Sequence, residues 1–234
     1  MFSVALIGAD GAGKTTIAQM LQKSFPLPLK QIYMGINVKS SNVALPTSRL
    51  VRYLRQLKRK KTGITPRPTT PYHRRNRRKR NLARKIWAAA SLVNRLAEEW
   101  YRQLCSWSYQ RRGYIALYDR YFLFDYFCNG VEFENKGQTL SERLHLWSLT
   151  HLYPRPDLVI LLDAPAEVLF SRKGEWSLPY LEFRRQAFIE QGNKTPNFVQ
   201  IDATLPVEKV YAEVSQHIMQ FYETRYGKMI HSKG

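Results

Sequence analysis

Residues 8–15 read Gly8-Ala9-Asp10-Gly11-Ala12-Gly13-Lys14-Thr15 and match the pattern G-x-x-x-x-G-K-[ST]. An apolar run at 3–7 precedes this stretch, as expected of a buried parallel strand that feeds a loop. After it, apolar residues recur at helical spacing until Pro26 ends the pattern. A strand, a glycine-rich loop and a helix in this order predict a nucleotide-binding α/β fold. The alternative is a glycine-rich turn that matches the pattern by chance.

Each residue type in this loop has a physical reason to be there. Glycines let successive backbone N–H groups face an anion at the positive end of the following helix. Lys14 can reach the β- and γ-phosphates of ATP, and the hydroxyl of Thr15 can bind Mg²⁺. The sequence therefore predicts ATP and Mg²⁺ as cofactors, with an ATP site formed by Gly8, Asp10, Gly11, Ala12, Gly13, Lys14, Thr15 and Thr16.

Strand-like and helix-like segments alternate along the rest of the chain. This alternation predicts a three-layer α/β sandwich, with helices on both faces of a parallel sheet of about five strands. The length of 234 residues suits a single domain over 1–234, in which 45–81 is a basic insertion or mobile segment. Besides 3–7, strands are predicted at 31–35, 114–118, 157–162 and 197–201, and a closing helix at 207–222.

A long helix is predicted at 82–110, and Gly113 ends it. Its apolar residues recur at helical spacing and predict a broad apolar face. That face comprises Ile86, Ala89, Ala90, Val93, Leu96, Ala97, Trp100 and Leu104.

The net charge of +19 is concentrated in one part of the chain. No Asp or Glu occurs between Gly11 and Ala97, and that stretch holds 21 of the 37 Lys and Arg residues. The dense run at 74–80 predicts attraction to a polyanion or an anionic membrane surface. The alternatives are a solvated loop and a localisation signal.

Cysteine usage and hydropathy indicate the compartment. Cys105 and Cys128 are too few for a disulfide scaffold and lack zinc-site spacing, which fits a reducing setting. The first residues do not read as a signal peptide, and no apolar run is long enough to span a bilayer. A cytoplasmic location is expected.

Four motifs in order along the chain share one resemblance. They are the loop at 10–16, Tyr-Asp-Arg-Tyr at 118–121, the stretch from Arg-Pro-Asp-Leu to Leu-Asp at 155–163, and Ile-Asp-Ala at 201–203. Together they resemble the thymidylate kinase family of nucleoside monophosphate kinases, over about residues 1–25 and 114–234. The resemblance implies an ATP-dependent kinase with an arginine-bearing lid after residue 163.

The resemblance also implies roles for single residues. Arg120 would grip the acceptor phosphate, and Asp119 would organise Mg²⁺ or the acceptor. Asp10 would accept a hydrogen bond from a sugar hydroxyl. The alternatives are a surface ion pair between Asp119 and Arg120 and an exposed loop carboxylate at Asp10.

The loop has Ala12 where an arginine would add positive charge, and family members without that arginine supply one from the lid. Arg172 is the favoured candidate for this catalytic role, beside Lys14. The adjacent Arg184 and Arg185 cannot both point the same way, and their alternative is a solvated helix face.

Asp163 is either an outer-sphere Mg²⁺ ligand, completing a metal site with Thr15 and Asp119, or a helix cap. The family's Arg-Glu-Pro-Gly motif is missing, because 33–37 read Tyr-Met-Gly-Ile-Asn. This departure leaves the acceptor open.

Three functions follow from the sequence. The first is a kinase for a small phosphorylated acceptor, most simply a nucleoside monophosphate such as thymidylate. The second is a kinase for a non-nucleotide, nucleic-acid or lipid-linked sugar acceptor held by the basic segment, and the third is a non-catalytic nucleotide-binding switch. A homodimer is a further expectation.

Overall fold

The computed structural model describes residues 1–35, 42, 43, 45, 77–128 and 140–227, without the side chains of 77–88, 91, 127, 128 and 140–142. Five strands form one parallel sheet in the order β2-β3-β1-β4-β5. The predicted five-stranded sheet is confirmed, while most of the predicted insertion at 45–81 lies outside the described residues. The strands are β1 (Ser3–Ile7), β2 (Leu29–Tyr33), β3 (Ile115–Asp119), β4 (Leu158–Asp163) and β5 (Phe198–Asp202).

Helices follow the strands in alternation, as the sequence predicts. Parallel strands need crossover connections, and helices supply most of them here. A short π-helical turn, Glu223–Gly227, ends the described chain. The helices are α1 (Lys14–Ser24), α2 (Arg77–Arg111), α3 (Phe122–Cys128), α4 (Leu140–His151), α5 (Ala166–Lys173), α6 (Leu178–Asn193) and α7 (Val207–Tyr222).

Hydrophobic residues fill both faces of the sheet. Successive side chains of a strand point to opposite faces. On β1, Val4 and Leu6 pack in a cluster with residues of α1 and α7. Ala5 and Ile7 pack in a second cluster with residues of α3, α4 and α6. The predicted three-layer arrangement is therefore confirmed.

The carboxyl ends of the central strands meet at one edge of the sheet. Gly8 follows β1, Asp119 ends β3 and Asp163 ends β4. The register pairs Leu6 with Asp119 across β1 and β3. In parallel α/β sheets, ligands bind outside this edge, where the order of connections reverses. The fold thus brings together predicted site residues from three parts of the chain.

Helix α2 buries polar residues that its predicted apolar face does not include. It spans 35 residues, Arg77–Arg111, rather than 82–110. Of the predicted apolar face, Trp100 packs against the second core cluster, whereas Val93 is 65% exposed and Leu104 55% exposed. Buried polar groups are stable where they find hydrogen-bond partners, and this side of α2 provides them. The buried polar residues of α2 are Glu98, Glu99, Arg102, Gln103 and Ser106.

Among the helices that the structure describes, none combines the length and the apolar character needed to cross a membrane.

Candidate active site

Two glycines allow the loop at 8–13 to lie close against its neighbours. Gly8 and Gly11 have φ angles of 144° and 93°, which L side chains rarely adopt. A Cβ on Gly8 would lie 2.5 Å from the carbonyl oxygen of Leu162, and one on Gly11 would lie 2.7 Å from that of Leu169. Helix α1 begins directly after the loop with no acidic residue in its first turn. Its positive end is therefore available to an anion.

Lys14 is buried at the base of this loop. Its Nζ donates hydrogen bonds to the carbonyl oxygens of Gly8, at 2.8 Å, and Ala9, at 2.7 Å. Burial, together with the charge of Arg120, lowers the pKa of Lys14 to about 8. A cation held without a carboxylate in direct contact is poised to exchange its carbonyl partners for phosphate oxygens.

Asp10 is the point at which three parts of the chain meet. Arg120, after β3, donates from Nη2 to Oδ1 of Asp10 at 2.6 Å. Arg184, on α6, donates from Nη1 to Oδ2 at 2.7 Å. Burial alone would raise the pKa of Asp10, but the charges of Arg120, Lys14 and Arg184 outweigh it and hold the pKa well below its usual range. Asp10 is therefore a buried anion with two partners and not an exposed loop carboxylate.

Arg120 itself sits in a costly backbone conformation. Its φ of 71° is left-handed, which costs a non-glycine residue about 1–2 kcal/mol. The carboxylate of Asp125 lies 4.0 Å from Nη1 of Arg120. Burial lowers the pKa of Arg120, but Asp125 and Asp10 more than compensate and raise it further above its ordinary value. The two acids hold this guanidinium beside the phosphate loop. Contacts of this kind allow a strained backbone conformation to persist.

Thr15 and Asp119 form the part of the site that suits a divalent cation. The Thr15 hydroxyl donates to Oδ2 of Asp119 at 3.2 Å, and the amide of Gln31 donates to the same oxygen at 3.2 Å. The other oxygen of Asp119, Oδ1, is buried and has no hydrogen-bond partner among the described residues. Mg²⁺ prefers such oxygen ligands and takes the rest from water and phosphates. Thr15 and Asp119 therefore fit Mg²⁺, although the described residues contain no cluster of three His, Cys, Asp or Glu that could hold a metal.

The three candidate lid arginines point to three different places. Arg184 reaches the phosphate loop at Asp10. Arg185 forms a two-pronged pair with Asp163, through Nε at 2.7 Å and Nη2 at 2.8 Å. Arg172 donates to the carbonyl oxygen of Ala203 at 2.8 Å, after β5. Of the three, Arg184 is the one that the structure joins to Asp10.

Asp163 is occupied by side chains. Both of its oxygens accept from Arg185, and one also accepts from the amide of Gln200 at 2.9 Å. A carboxylate engaged in this way has little capacity left for a metal-bound water. Its role as a metal ligand stays a prediction, and Thr15 with Asp119 is the better supported pair.

The buried side of α2 contacts the chain that follows β2. Arg102 donates to the carbonyl oxygen of Gly35, at 3.0 Å, and Glu98 accepts from the backbone N–H of Leu45, at 3.1 Å. A Cβ on Gly35 would lie 2.9 Å from Cδ of Arg120. Helix α2 thus holds the chain after β2 against the arginine of the site.

Sequence reasoning missed these α2 residues. Their signal is the i, i+4 spacing of Glu98, Arg102 and Ser106, with Glu99 and Gln103 beside them, which places them on one side of a helix. The same helix also has apolar residues at helical spacing, so the sequence offers two candidates for its buried face. Polar residues are usually the solvated ones.

Known structures share this fold. The chain is similar to two solved structures of deoxyadenosine kinase from M. mycoides, one with bound dATP and one with bound dCTP. Both have a TM-score of 0.52, with identities of 16% and 17%, and both alignments cover 93% of this chain and 99% of theirs. No protein-family model and no curated protein matches the chain. At such low identity the likeness concerns the fold, a P-loop α/β architecture.

Proposed function

We propose that the protein is an ATP-dependent phosphotransferase that acts on a small acceptor of the nucleoside class. One observation carries the proposal: the guanidinium groups of Arg120 and Arg184 converge on Asp10 in the loop that also buries Lys14. Phosphoryl transfer needs positive charge at the oxygens around the transferred phosphorus. Three cations from three parts of the chain, Lys14, Arg120 and Arg184, lie around Asp10.

Each cation has a separate role in the proposed reaction. Lys14 and the backbone N–H groups of the loop bind the β- and γ-phosphates of ATP. Arg184 supplies the positive charge that Ala12 does not, and its contact with Asp10 favours it over Arg172 for this role. Arg120 faces the acceptor side, because its neighbours there are Asp125 and Gly35.

Thr15 and Asp119 would hold Mg²⁺ between the loop and the end of β3. When bound, the metal would neutralise charge on the β- and γ-phosphates. The hydrogen bond between Thr15, in the first turn of α1, and Asp119, at the end of β3, orients the two side chains.

The charge balance favours a neutral acceptor. Arg120 faces Asp10 and Asp125, and Arg184 faces Asp10, so each described guanidinium at this position has a carboxylate partner. A nucleoside hydroxyl adds no charge to such a site, whereas a phosphate monoester adds about two negative charges. The two deoxyadenosine kinase structures of similar fold agree with this choice. Thymidylate, which the sequence motifs favour, is the second candidate.

An acceptor panel tests the proposal. The purified chain is incubated with ATP, Mg²⁺ and a series of nucleosides and nucleoside monophosphates, and ADP and the phosphorylated product are both measured. We expect transfer to at least one nucleoside, and a loss of about 100-fold or more in Lys14→Ala, because the phosphates lose their buried cation. Lys23→Ala, an exposed lysine on the same helix, is the matched control and should retain full activity. If none of the acceptors receives phosphate, the proposal is overturned.

A further inference from the structure

A cavity lies between α3, α4 and the end of α6. Its volume is about 190 Å³. Arg155 and Pro156 line it, and both precede β4, whereas the candidate active site lies beyond the other end of that strand. The six residues of β4 extend about 20 Å. The Arg155 end of the cavity therefore lies about one strand length from the candidate active site.

The inner wall of this cavity is apolar and aromatic. Tyr121 and Phe124 line it and are almost fully buried, at 2% and 3% exposure. The Tyr121 hydroxyl donates to the carbonyl oxygen of Pro154 at 2.6 Å, so this polar group is already satisfied. The Phe124 ring is held by stacking on Phe188, with ring centroids 6.5 Å apart. Flat, rigid walls of this kind suit a planar apolar ligand.

The mouth of the cavity is positively charged. Arg155 and Lys194 line it, and none of the described residues that line it is acidic. Within the described part of the chain, Arg155 has no hydrogen bond or ion pair. Lys194 pairs with Glu190 at 2.6 Å, but both side chains are more than 60% exposed, and exposed pairs of this kind contribute little. Both cations are therefore available to an anion at the mouth.

We propose that this cavity binds a small aromatic anion, with its ring against Tyr121 and Phe124 and its carboxylate at Arg155 and Lys194. Pockets for drug-sized ligands measure roughly 300–1,000 Å³. The cavity is smaller, so it accepts a single ring and excludes a nucleoside triphosphate. The guanidinium of Arg155 matches the two oxygens of a carboxylate.

Benzoate is the probe that tests this site. Its binding to the full chain is measured by calorimetry, with benzyl alcohol as the neutral analogue and acetate as the anion without a ring. We expect saturable binding of benzoate and at least about tenfold weaker binding of both analogues, because each lacks one half of the recognition.

Variants at exposed positions assign the binding to the cavity. We expect Arg155→Ala to weaken benzoate binding about tenfold, because a charge-assisted contact is lost. Arg143→Ala removes the same charge from an exposed position on α4 that does not line the cavity, and it should bind benzoate like the unmodified chain. Lys14→Ala should also bind benzoate normally, which separates this site from the proposed kinase site. The proposal is overturned if Arg155→Ala binds benzoate as tightly as the unmodified chain does. It is also overturned if benzyl alcohol binds as tightly as benzoate, or if benzoate shows no saturable binding.

Discussion

At the scale of single residues, Asp10 organises the candidate site. Its carboxylate holds Arg120 from the end of β3 and Arg184 from α6, and all three stand beside the buried Lys14. Removing one member of a buried ion pair leaves the other uncompensated, which makes such clusters costly to disturb. The cluster nevertheless consists of side chains that phosphate oxygens can also satisfy. Single substitutions can therefore separate the residues that act on phosphate from those that only support the fold.

Arg184 and Arg172 give the clearest comparison, because both are candidate lid arginines and only Arg184 reaches the phosphate loop. We expect Arg184→Gln to lower kcat by about 100- to 1,000-fold, as for other groups that stabilise a transition state. Arg172→Gln should leave kcat within a few-fold of the unmodified enzyme, since this guanidinium donates to the carbonyl oxygen of Ala203. Steady-state kinetics with ATP as the varied substrate measures both. The assignment is wrong if the two variants lose kcat equally, or if Arg172→Gln loses more.

The lowered pKa of Lys14 predicts a pH dependence of ATP binding. Below about pH 8 this lysine is charged in both the folded and the unfolded chain, and between about 8 and 10.5 only the unfolded chain keeps the proton. In this window the group makes unfolding less favourable as pH rises. Affinity for ATP moves in the opposite direction, because the cation that meets the phosphates is lost. We expect the Kd for ATP, measured by titration calorimetry, to rise from pH 7.5 to pH 9.5.

Lys14→Arg is the control for this pH dependence. Arginine stays charged across the whole range, so the variant should show a flat Kd over the same pH values even if its affinity is lower. A wild-type Kd that does not change above pH 8 would contradict the lowered pKa. The same slope in both proteins would place the titrating group elsewhere.

Some site residues could be predicted from a short stretch of sequence, and others could not. Lys14, Thr15 and the glycines belong to one short motif, so their positions follow from a few adjacent residues. Arg184 lies 174 residues from Asp10, and nothing in its neighbourhood distinguishes it from Arg172 or Arg185. Its role depends on how α6 packs against the loop. The sequence resemblance narrowed the choice to three lid arginines, and the packing then distinguished them.

At the scale of elements, strands were more predictable than the faces of helices. The predicted strands agree with β1 to β5 to within two residues, and β1, β3 and β4 are fully buried, as expected of central parallel strands. Helix α2 was predicted over 82–110, within Arg77–Arg111, and its buried polar side was not predicted. Its polar side is buried by partners that lie on other elements of the fold. One is Tyr118, whose hydroxyl is 2.7 Å from that of Ser106, and another is His145, whose Nε2 is 2.9 Å from Glu99.

A pair of alanine substitutions tests which face of α2 is buried. We expect Glu99→Ala to lower the free energy of unfolding by about 3 kcal/mol, because His145 and the Tyr153 hydroxyl lose their buried partner. Val93→Ala should change it by less than about 0.5 kcal/mol, since Val93 is 65% exposed. Urea denaturation followed by circular dichroism measures both values. The reverse ranking would mean that the apolar face is the buried one.

At the scale of the whole molecule, the sheet positions the candidate site, and most of the excess positive charge lies elsewhere in the chain. The sheet places the loop after β1 next to the end of β3, where ATP and the acceptor would meet. The excess of Lys and Arg lies mainly between residues 11 and 97, much of it outside the described residues. Its attraction to a polyanion or an anionic membrane surface therefore stays a prediction, as do the homodimer, the cytoplasmic location and the single-domain assignment.

Salt dependence tests the basic segment. We expect the chain to bind single-stranded DNA with an affinity that falls steeply as salt rises, because phosphate contacts release counterions. Replacing Arg74, Arg75, Arg77 and Arg78 by Gln should reduce the slope of log K against log salt by about 3. Fluorescence anisotropy at several salt concentrations gives the slope, and ATP binding by the same variant serves as the control for folding. An unchanged slope would place the binding elsewhere on the chain.

We propose that Lys14, Arg120 and Arg184 act together in the transfer of the γ-phosphate of ATP to a small acceptor. ³¹P NMR of the chain with ATP, Mg²⁺ and a mixture of nucleosides and nucleoside monophosphates follows that phosphate directly. We expect the γ resonance to be replaced by that of a phosphate monoester, the product of a neutral nucleoside, whereas a nucleoside monophosphate acceptor would give a new diphosphate signal. The Arg184→Gln variant should leave ATP largely intact over the same time. If the unmodified chain releases only inorganic phosphate, or leaves ATP unchanged with every acceptor, the claim is contradicted.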